Sequence, residues 1–341
     1  MKPLAKITVL ATLAALAYGC DRDKLPLGPS AMRAVRADVT SEEAPEYGPW
    51  GPPVNLGPVV NSPYNDQHPA ISKDGLSLYI SSDRPGGLGG MDIWVSHRGS
   101  VDDPWGPPED LGPNINSAAN DVAPTFTPDG HQLYYHSAGR GGCGLADLFV
   151  ARRHDKRDDF GWEPAENLGC VVNSAFADAG PTYFEDEATG ITTLYFTRQN
   201  NPPTSDQGFD IYATTRMGDD GEFGPAVLVP ELSSPFRDTR TTIRRDGLEM
   251  ILSSGRPGGS GSEDLWVSTR ASTLDPWGTP VNLGPVVNSS AFDGAPALSF
   301  DGTTLYFFSE RSGGLGKRDL YVTTRERLHA ADVAEDAQKE P

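Results

Sequence analysis

One pattern recurs five times along the chain, and it limits the fold more than any other feature. Segments beginning at His68, Ala123, Gly180, Arg240 and Ala295 each run through a short β-type stretch, an Asp-Gly turn or its replacement, a second stretch, a glycine-containing turn and a third stretch opening on aspartate. Each is preceded by an aromatic, Gly-Pro-like element leading into Asn-Leu-Gly or its remnant. The lead aromatics are Trp50, Trp105, Trp162, Phe223 and Trp277, spaced 55, 57, 61 and 54 residues apart. A fixed period of this size means a propeller, a solenoid or an array.

Within a unit the periodicity is that of strands, not helices. In the first unit, residues 69–72, 78–82 and 92–96 are short β-type runs, separated by Asp74-Gly75 and by Pro85-Gly86-Gly87. Asp-Gly supplies the positive backbone angles that a tight hairpin needs. Residues 50–56 supply a fourth, outer strand, and four antiparallel strands make one propeller blade. The array opens on an outer strand and closes on a third strand, so neither end is a complete blade. The outer strand at Trp50 therefore completes the last blade and leaves no exposed edge. The fold expected is all-β, a five-bladed β-propeller of four-stranded antiparallel blades, its ring closed by the N-terminal outer strand. Glycine (38) and proline (30) are frequent but regularly placed, as many turns between short strands require.

The repeat, Pro-x-x-Ser-x-Asp-Gly-x-x-Leu-Tyr-x-x-Ser-x-Arg-x-Gly-Gly-x-Gly-x-x-Asp-Leu/Ile-aromatic-Val, resembles the WD40-like propeller repeat of TolB-type periplasmic proteins and envelope lipoproteins. The resemblance covers residues 47–327 and implies the propeller fold and an envelope location. In two respects the chain departs from it. Only Pro128-Asp129-Gly130 shows the full Pro-Asp-Gly, and the third unit has an extended turn over residues 185–190. TolB-type proteins usually carry six blades and an extra domain, and five repeats match neither.

The N-terminus has the layout of a secretion signal: Lys2 and Lys6, an apolar run over residues 7–17, then Tyr18, Gly19 and Cys20. Gly19-Cys20 resembles a bacterial lipoprotein cleavage box, with Cys20 as the lipid acceptor. The organisation read from this is a signal peptide over 1–19, a lipidated tether over 20–46, the propeller over 47–327 and a disordered tail over 328–341. The location expected is the cell envelope, periplasmic or outer-membrane, with the lipid anchor as the only membrane contact and the propeller a monomer. A net charge of −19, from 47 acidic and 28 basic residues, argues against a nucleic-acid partner.

Two aspartate sets recur. Asp92, Asp147, Asp210, Asp264 and Asp319 open the third strands, each with an arginine six residues on, and read as acceptors for the amides of the preceding turn. Asp66, Asp121, Asp178, Asp238 and Asp293 stand just before the innermost strands, where they are expected to ring one mouth of the axial channel. Such a ring either caps backbone amides or holds a cation, calcium being the one oxygen ligands favour; no other cofactor is expected. Two residues after these aspartates stand His68, Ala123, Gly180, Arg240 and Ala295. Small residues are the rule there, so His68 and Arg240 stand out, as ligand contacts or as neutralisers of the acidic ring. Cys143 and Cys170 replace repeat residues within the second blade and should form a disulfide in an oxidising compartment.

No Ser-His-Asp set, phosphate loop or metal-spaced histidines occur. The leading expectation is a non-enzymatic, lipid-anchored binding or scaffolding propeller whose partner is an envelope protein or a glycan. The alternatives are a glycoside hydrolase-like propeller, since acidic residues on inner strands suit that chemistry, and a TolB-like partner in envelope assembly.

Overall fold

The computed structural model describes residues 46–199, 208–218 and 221–328. The signal segment, Cys20, the tether up to residue 45 and the tail from residue 329 lie outside the described residues. The described chain forms five sheets of four antiparallel strands arranged as a ring, a five-bladed β-propeller. Blade 1 runs outward through Asp66–Ile71, Ser77–Ser82, Asp92–His97 and Glu109–Asp110. Blades 2, 3 and 4 repeat this order from inner strands Asn120–Phe126, Asp178–Asp186 and Asp238–Ile243. Blade 5 comprises Asp293–Leu298, Thr304–Ser309, Asp319–Thr324 and, from the other end of the chain, Val54–Asn55.

The closure is a strand pairing of Val54 with Val322 and Asn55 with Tyr321. Amides of Gly51 and Leu56 extend it by donating to the carbonyls of Thr324 and Leu320, each pair at 2.9–3.0 Å. A second latch was not visible in the repeat: Glu46–Tyr47 pairs with Arg327–Leu328, so residues assigned to the ends of the tether and tail belong to the fold.

The recurring third-strand arginine explains why the lead aromatic is part of the motif. Arg98, Arg153, Arg216 and Arg270 lie 4.2–4.8 Å over the rings of Trp105, Trp162, Phe223 and Trp277. Arg325 does the same over Trp50, at 4.4 Å, across the closure. The same arginines bond the inner hairpin: Nε of Arg98, Arg153, Arg270 and Arg325 donates to the carbonyls of Gly75, Gly130, Gly247 and Gly302 at 2.6–2.8 Å. The third-strand aspartates act as the sequence suggests. Asp92 accepts from the amides of Leu88 and Gly89, and Asp319 from those of Leu315 and Gly316.

Blades pack face to face, which buries both faces of every second strand. Along Ser77–Ser82, Leu78 and Ile80 pack toward blade 5 while Tyr79 packs toward blade 2, so alternation of direction does not become alternation of polarity. Cys143 and Cys170 are disulfide-bonded with Cα atoms 5.5 Å apart, joining the turn before the third strand of blade 2 to the loop after its fourth.

A chain beginning at residue 60 lacks both latches and the Trp50 platform. It should unfold at a clearly lower temperature and lose two-state cooperativity in thermal and urea unfolding followed by circular dichroism. Coincident melts of the truncated and full chains would show that the closure does not stabilise the ring.

Candidate functional site

The inner strands begin earlier than the apolar pattern suggests, and the reason is a bulge. In each blade the inner strand opens on the recurring aspartate, or in blade 2 one residue before it, and its register slips a few residues on. At the slip stand His68, Ala123, Gly180, Arg240 and Ala295, with φ of +51°, +66°, +59°, +42° and +52°. Left-handed backbone at non-glycine residues is unfavourable by about 1 kcal/mol or more each. Stitching between blades holds it in place. The amides of Ala123, Gly180, Arg240 and Ala295 donate to Ser81 Oγ, His136 Nδ1, Thr197 Oγ1 and Ser253 Oγ of the preceding blade, at 2.9–3.2 Å. At the fifth junction the facing residue is Phe308, which offers no acceptor, and His68 meets its ring edge-on at 6.0 Å.

The five aspartates do not open onto the channel. All are fully buried, with their oxygens turned into their own blade. Asp66 accepts from the Ser62 amide and hydroxyl, from Ser82 Oγ and from Arg84. Asp178, Asp238 and Asp293 repeat this clamp with Ser174 and Arg198, Ser234 and Arg256, and Ser289 and Arg311. Asp121 keeps the Ser117 half, while Arg140 stands off at 3.8 Å. The expected ring at a channel mouth is thus a set of internal ties, because a carboxylate next to a serine amide four residues back and an arginine at the end of the neighbouring strand is satisfied locally; Asp121, whose Oδ1 is buried without a hydrogen-bond partner, is the exception. Among the described residues no three His, Cys, Asp or Glu side chains converge as a metal-ligand set.

What the bulges do line is the axis. Three of the five positions are small, and the other two hold the side chains that break the repeat. Arg240 extends across Gly180, where an added Cβ would sit 2.5 Å from its Cδ, and its Nη1 reaches the Ala123 carbonyl at 3.5 Å. Arg240 is 8% exposed, its Nε has no hydrogen-bond partner, and no ion pair to it occurs among the described residues. Burial pushes its pKa down to about 9. His136 is pushed down to about 3 by burial and then by the charge of Arg240. His68 is lowered well below the ordinary histidine value for the same two reasons, and its Nδ1 is buried without a partner. Both histidines are neutral at neutral pH, so among the five bulge positions the charge is that of Arg240.

Beyond Arg240 the axis widens into a cavity of about 150 Å³ lined by all five inner strands and opening at their hairpin turns. Its first layer is Pro69, Pro124, Pro181, Thr241 and Pro296; Phe126, Phe184 and Phe300 stand nearer the mouth. Lys73 and Arg245 lie over the Phe300 ring at 4.4 and 4.6 Å, and Arg245 pairs with Glu187. At the opposite end of the channel the structure assembles a cluster that the sequence reading missed. Glu263, nearly buried, lies 3.1 Å from Arg237 and 3.4 Å from Thr239 Oγ1, and desolvation raises its pKa to about 7. Arg318 bonds Gln67 and Glu310 and its charge also reaches Glu263. The signal was available: Glu263 stands at the repeat position of Met91, Ala146 and Arg318, where the units disagree as they do at His68 and Arg240.

No family model and no curated protein sequence matches this chain. Solved structures do match in shape. The catalytic domain of the Coprinopsis cinerea GH62 α-L-arabinofuranosidase is 13% identical over 82% of this chain and 98% of its own, with a TM-score of 0.53. An α-L-arabinofuranosidase from Lactobacillus brevis is 13% identical over 82% of this chain and 94% of its own, with a TM-score of 0.54. A TolB structure from Agrobacterium tumefaciens is 14% identical over 83% of this chain and all of its own, with a TM-score of 0.45. At these identities the likeness to the two arabinofuranosidases shows the fold and nothing finer.

Two predictions follow the electrostatics. Replacing Arg256 by Met strands the buried Asp238 and should cost about 3–5 kcal/mol in urea unfolding, whereas calcium or chelator should leave the wild-type melt unchanged, since Asp66, Asp178, Asp238 and Asp293 have both carboxylate oxygens engaged. A calcium-dependent rise in melting temperature would instead make the aspartates a cation site. His136 binds its proton near the ordinary value of 6.5 when unfolded and near about 3 when folded. Its contribution is therefore complete above about pH 6.5 and is lost as pH falls toward about 3. Glu263, raised to about 7 from 4.5, acts with the opposite sign, losing stability as pH rises through that window. His136→Asn keeps an acceptor for the Gly180 amide and cannot titrate. Its stability should fall less steeply than wild type below about pH 6.5, by up to about 1.4 kcal/mol per pH unit; parallel curves would remove the assignment.

Proposed function

We propose that this chain is a saccharide-recognising propeller of the cell envelope, anchored through Cys20, which takes one small ligand group into its axial cavity. The observation that carries this reading is the cavity itself. All five inner strands contribute to it, and its lining mixes Phe126, Phe184 and Phe300 with Thr125, Thr182 and Thr241, the last two hydrogen-bonded to each other. A lining that mixes apolar and polar groups suits a sugar ring, which has an apolar face and a polar edge. The fold is one on which the arabinofuranosidases named above also work, and saccharide is the ligand class we carry over from them. The Cys143–Cys170 disulfide is consistent with export to an oxidising compartment.

Glycoside hydrolysis is the second reading, and Glu263 is the observation that favours it. That reaction needs two carboxyl groups in unlike settings, one of them protonated at working pH. Glu263 titrates near about 7 in a desolvated site, while Glu310 is ion-paired with Arg318, the arginine that stands near both. Binding without turnover and hydrolysis separate cleanly. A glycan array and calorimetry with the purified chain should find a saccharide whose affinity falls at least about tenfold in Phe300→Ala. Release of p-nitrophenol from arabinofuranoside or xyloside substrates, reduced roughly 100-fold or more by Glu263→Gln, would establish the enzyme. If no saccharide binds and a protein is recovered with the propeller from solubilised envelope, the chain is a scaffold.

A further inference from the structure

Arg240 is out of keeping with every other arginine near the axis. Arg84, Arg198, Arg256 and Arg311 each contact an aspartate of their own blade at 2.7 Å or less. In a chain with 47 acidic and 28 basic residues a carboxylate partner is easily supplied. Among the described residues Arg240 has none: Nε is unpaired, Nη1 makes one long contact with a carbonyl, and the side chain is more than nine-tenths buried.

Packing does not explain it. The same bulge position holds alanine in blades 2 and 5 and glycine in blade 3, so the fold is compatible with a small neutral residue there. The neighbouring blade has even made room. Gly180 adopts φ +59°, an angle that Ala123 and Ala295 adopt at equivalent positions, so the backbone alone does not demand glycine. A Cβ at Gly180 would lie 2.5 Å from Arg240 Cδ and 2.9 Å from Nη1. Gly180 and Arg240 are therefore a matched pair that places a guanidinium across the floor of the cavity. An unpaired buried cation disfavours the folded state, and it acquires a use when an anion reaches it, because a charge-assisted bond in a desolvated site is strong.

We propose that Arg240 forms an anion subsite at the floor of the axial cavity and takes the carboxylate, or an equivalent compact oxyanion, of an acidic ligand. The cavity admits a group of limited size: about 150 Å³ is the volume of a site that accepts a benzene-sized guest. Lys73, Arg244 and Arg245 line the entrance together with Glu185 and Glu187, the latter paired with Arg245, and Arg240 lies at the end of the path. The ligand that fits the saccharide reading is an acidic sugar such as a uronic acid, bound with its carboxylate inward. This identification rests on that reading and adds the charge of what enters; the subsite itself requires only an oxyanion.

The test uses the full chain at low salt with D-galacturonate, D-galactose and inorganic sulfate as probes, read by calorimetry and by melting temperature. The two sugars differ only in the oxidation state of C6. Galacturonate should bind at least about tenfold more tightly than galactose, sulfate should compete with it, and Arg240→Met should remove the preference while melting no lower than wild type without ligand. Equal binding of both sugars, unchanged in Arg240→Met, overturns the anion subsite and leaves the saccharide reading standing. A sulfate-dependent rise in melting temperature that Arg240→Met abolishes, with neither sugar binding, keeps the subsite and rejects the saccharide. No response to any probe rejects both. Should Arg240→Met fail to fold, competition between sulfate and galacturonate on the wild-type chain decides the question.

Discussion

The structure depends on the pairing of Val54–Asn55 with Asp319–Thr324, residues separated by most of the chain. A repeat array grows by local rules, but a ring must satisfy a global one: the last blade lacks its outer strand until the first segment returns to supply it. Arg325 over Trp50 makes the join chemically the same as the four internal ones, so the propeller has no distinguishable seam in its arginine-aromatic layer. The additional Glu46–Tyr47 and Arg327–Leu328 ladder keeps both ends of the fold together.

Closing the ring converts a feature of single strands into a site. The bulge in each inner strand is a local irregularity, unfavourable in isolation and tolerated because the amide it turns outward is taken up by the previous blade. Repeated around an axis, the five bulges form a collar, and the side chain at each one points at a space only the ring encloses. Collar positions are therefore where sequence variation has chemical consequences, since alanine or glycine leaves the channel open and arginine crosses it. Blade 1 shows the cost of departing from the rule, where Phe308 replaces the hydroxyl acceptor and His68 packs on its ring instead.

Charge is distributed in the same layered way. The inner-strand aspartates Asp66, Asp178, Asp238 and Asp293 are withdrawn into clamps with serine and arginine, so these carboxylates do not face the axis. At the collar itself the charged side chain is Arg240, and the two histidines beside it are kept neutral by burial and by that arginine. Glu263 lies at the far end, held near neutrality by desolvation despite Arg237. The channel thus has two unlike ends, one shaped as a cavity of mixed polar and apolar lining with a cationic floor and one bearing a carboxyl able to hold a proton.

The amino-acid sequence determined the number of blades, the order of strands, the place of the closure and the Cys143–Cys170 pair, because each follows from period, turn chemistry and alignment of like with like. It also singled out His68 and Arg240, since a residue that breaks a fivefold repeat is visible without coordinates. The direction in which a recurring residue points was not legible. Asp66 and its equivalents sit two residues from the collar, yet the bulge turns one set of side chains into the blade and the other onto the axis, and a repeat pattern is blind to that rotation. Whether Arg240 has a partner, whether Gly180 is empty for its sake, and which residues gather around Glu263 depend on contacts between blades far apart in sequence. Only the closed ring decided these, because burial and pairing are properties of the space between elements and not of the elements themselves.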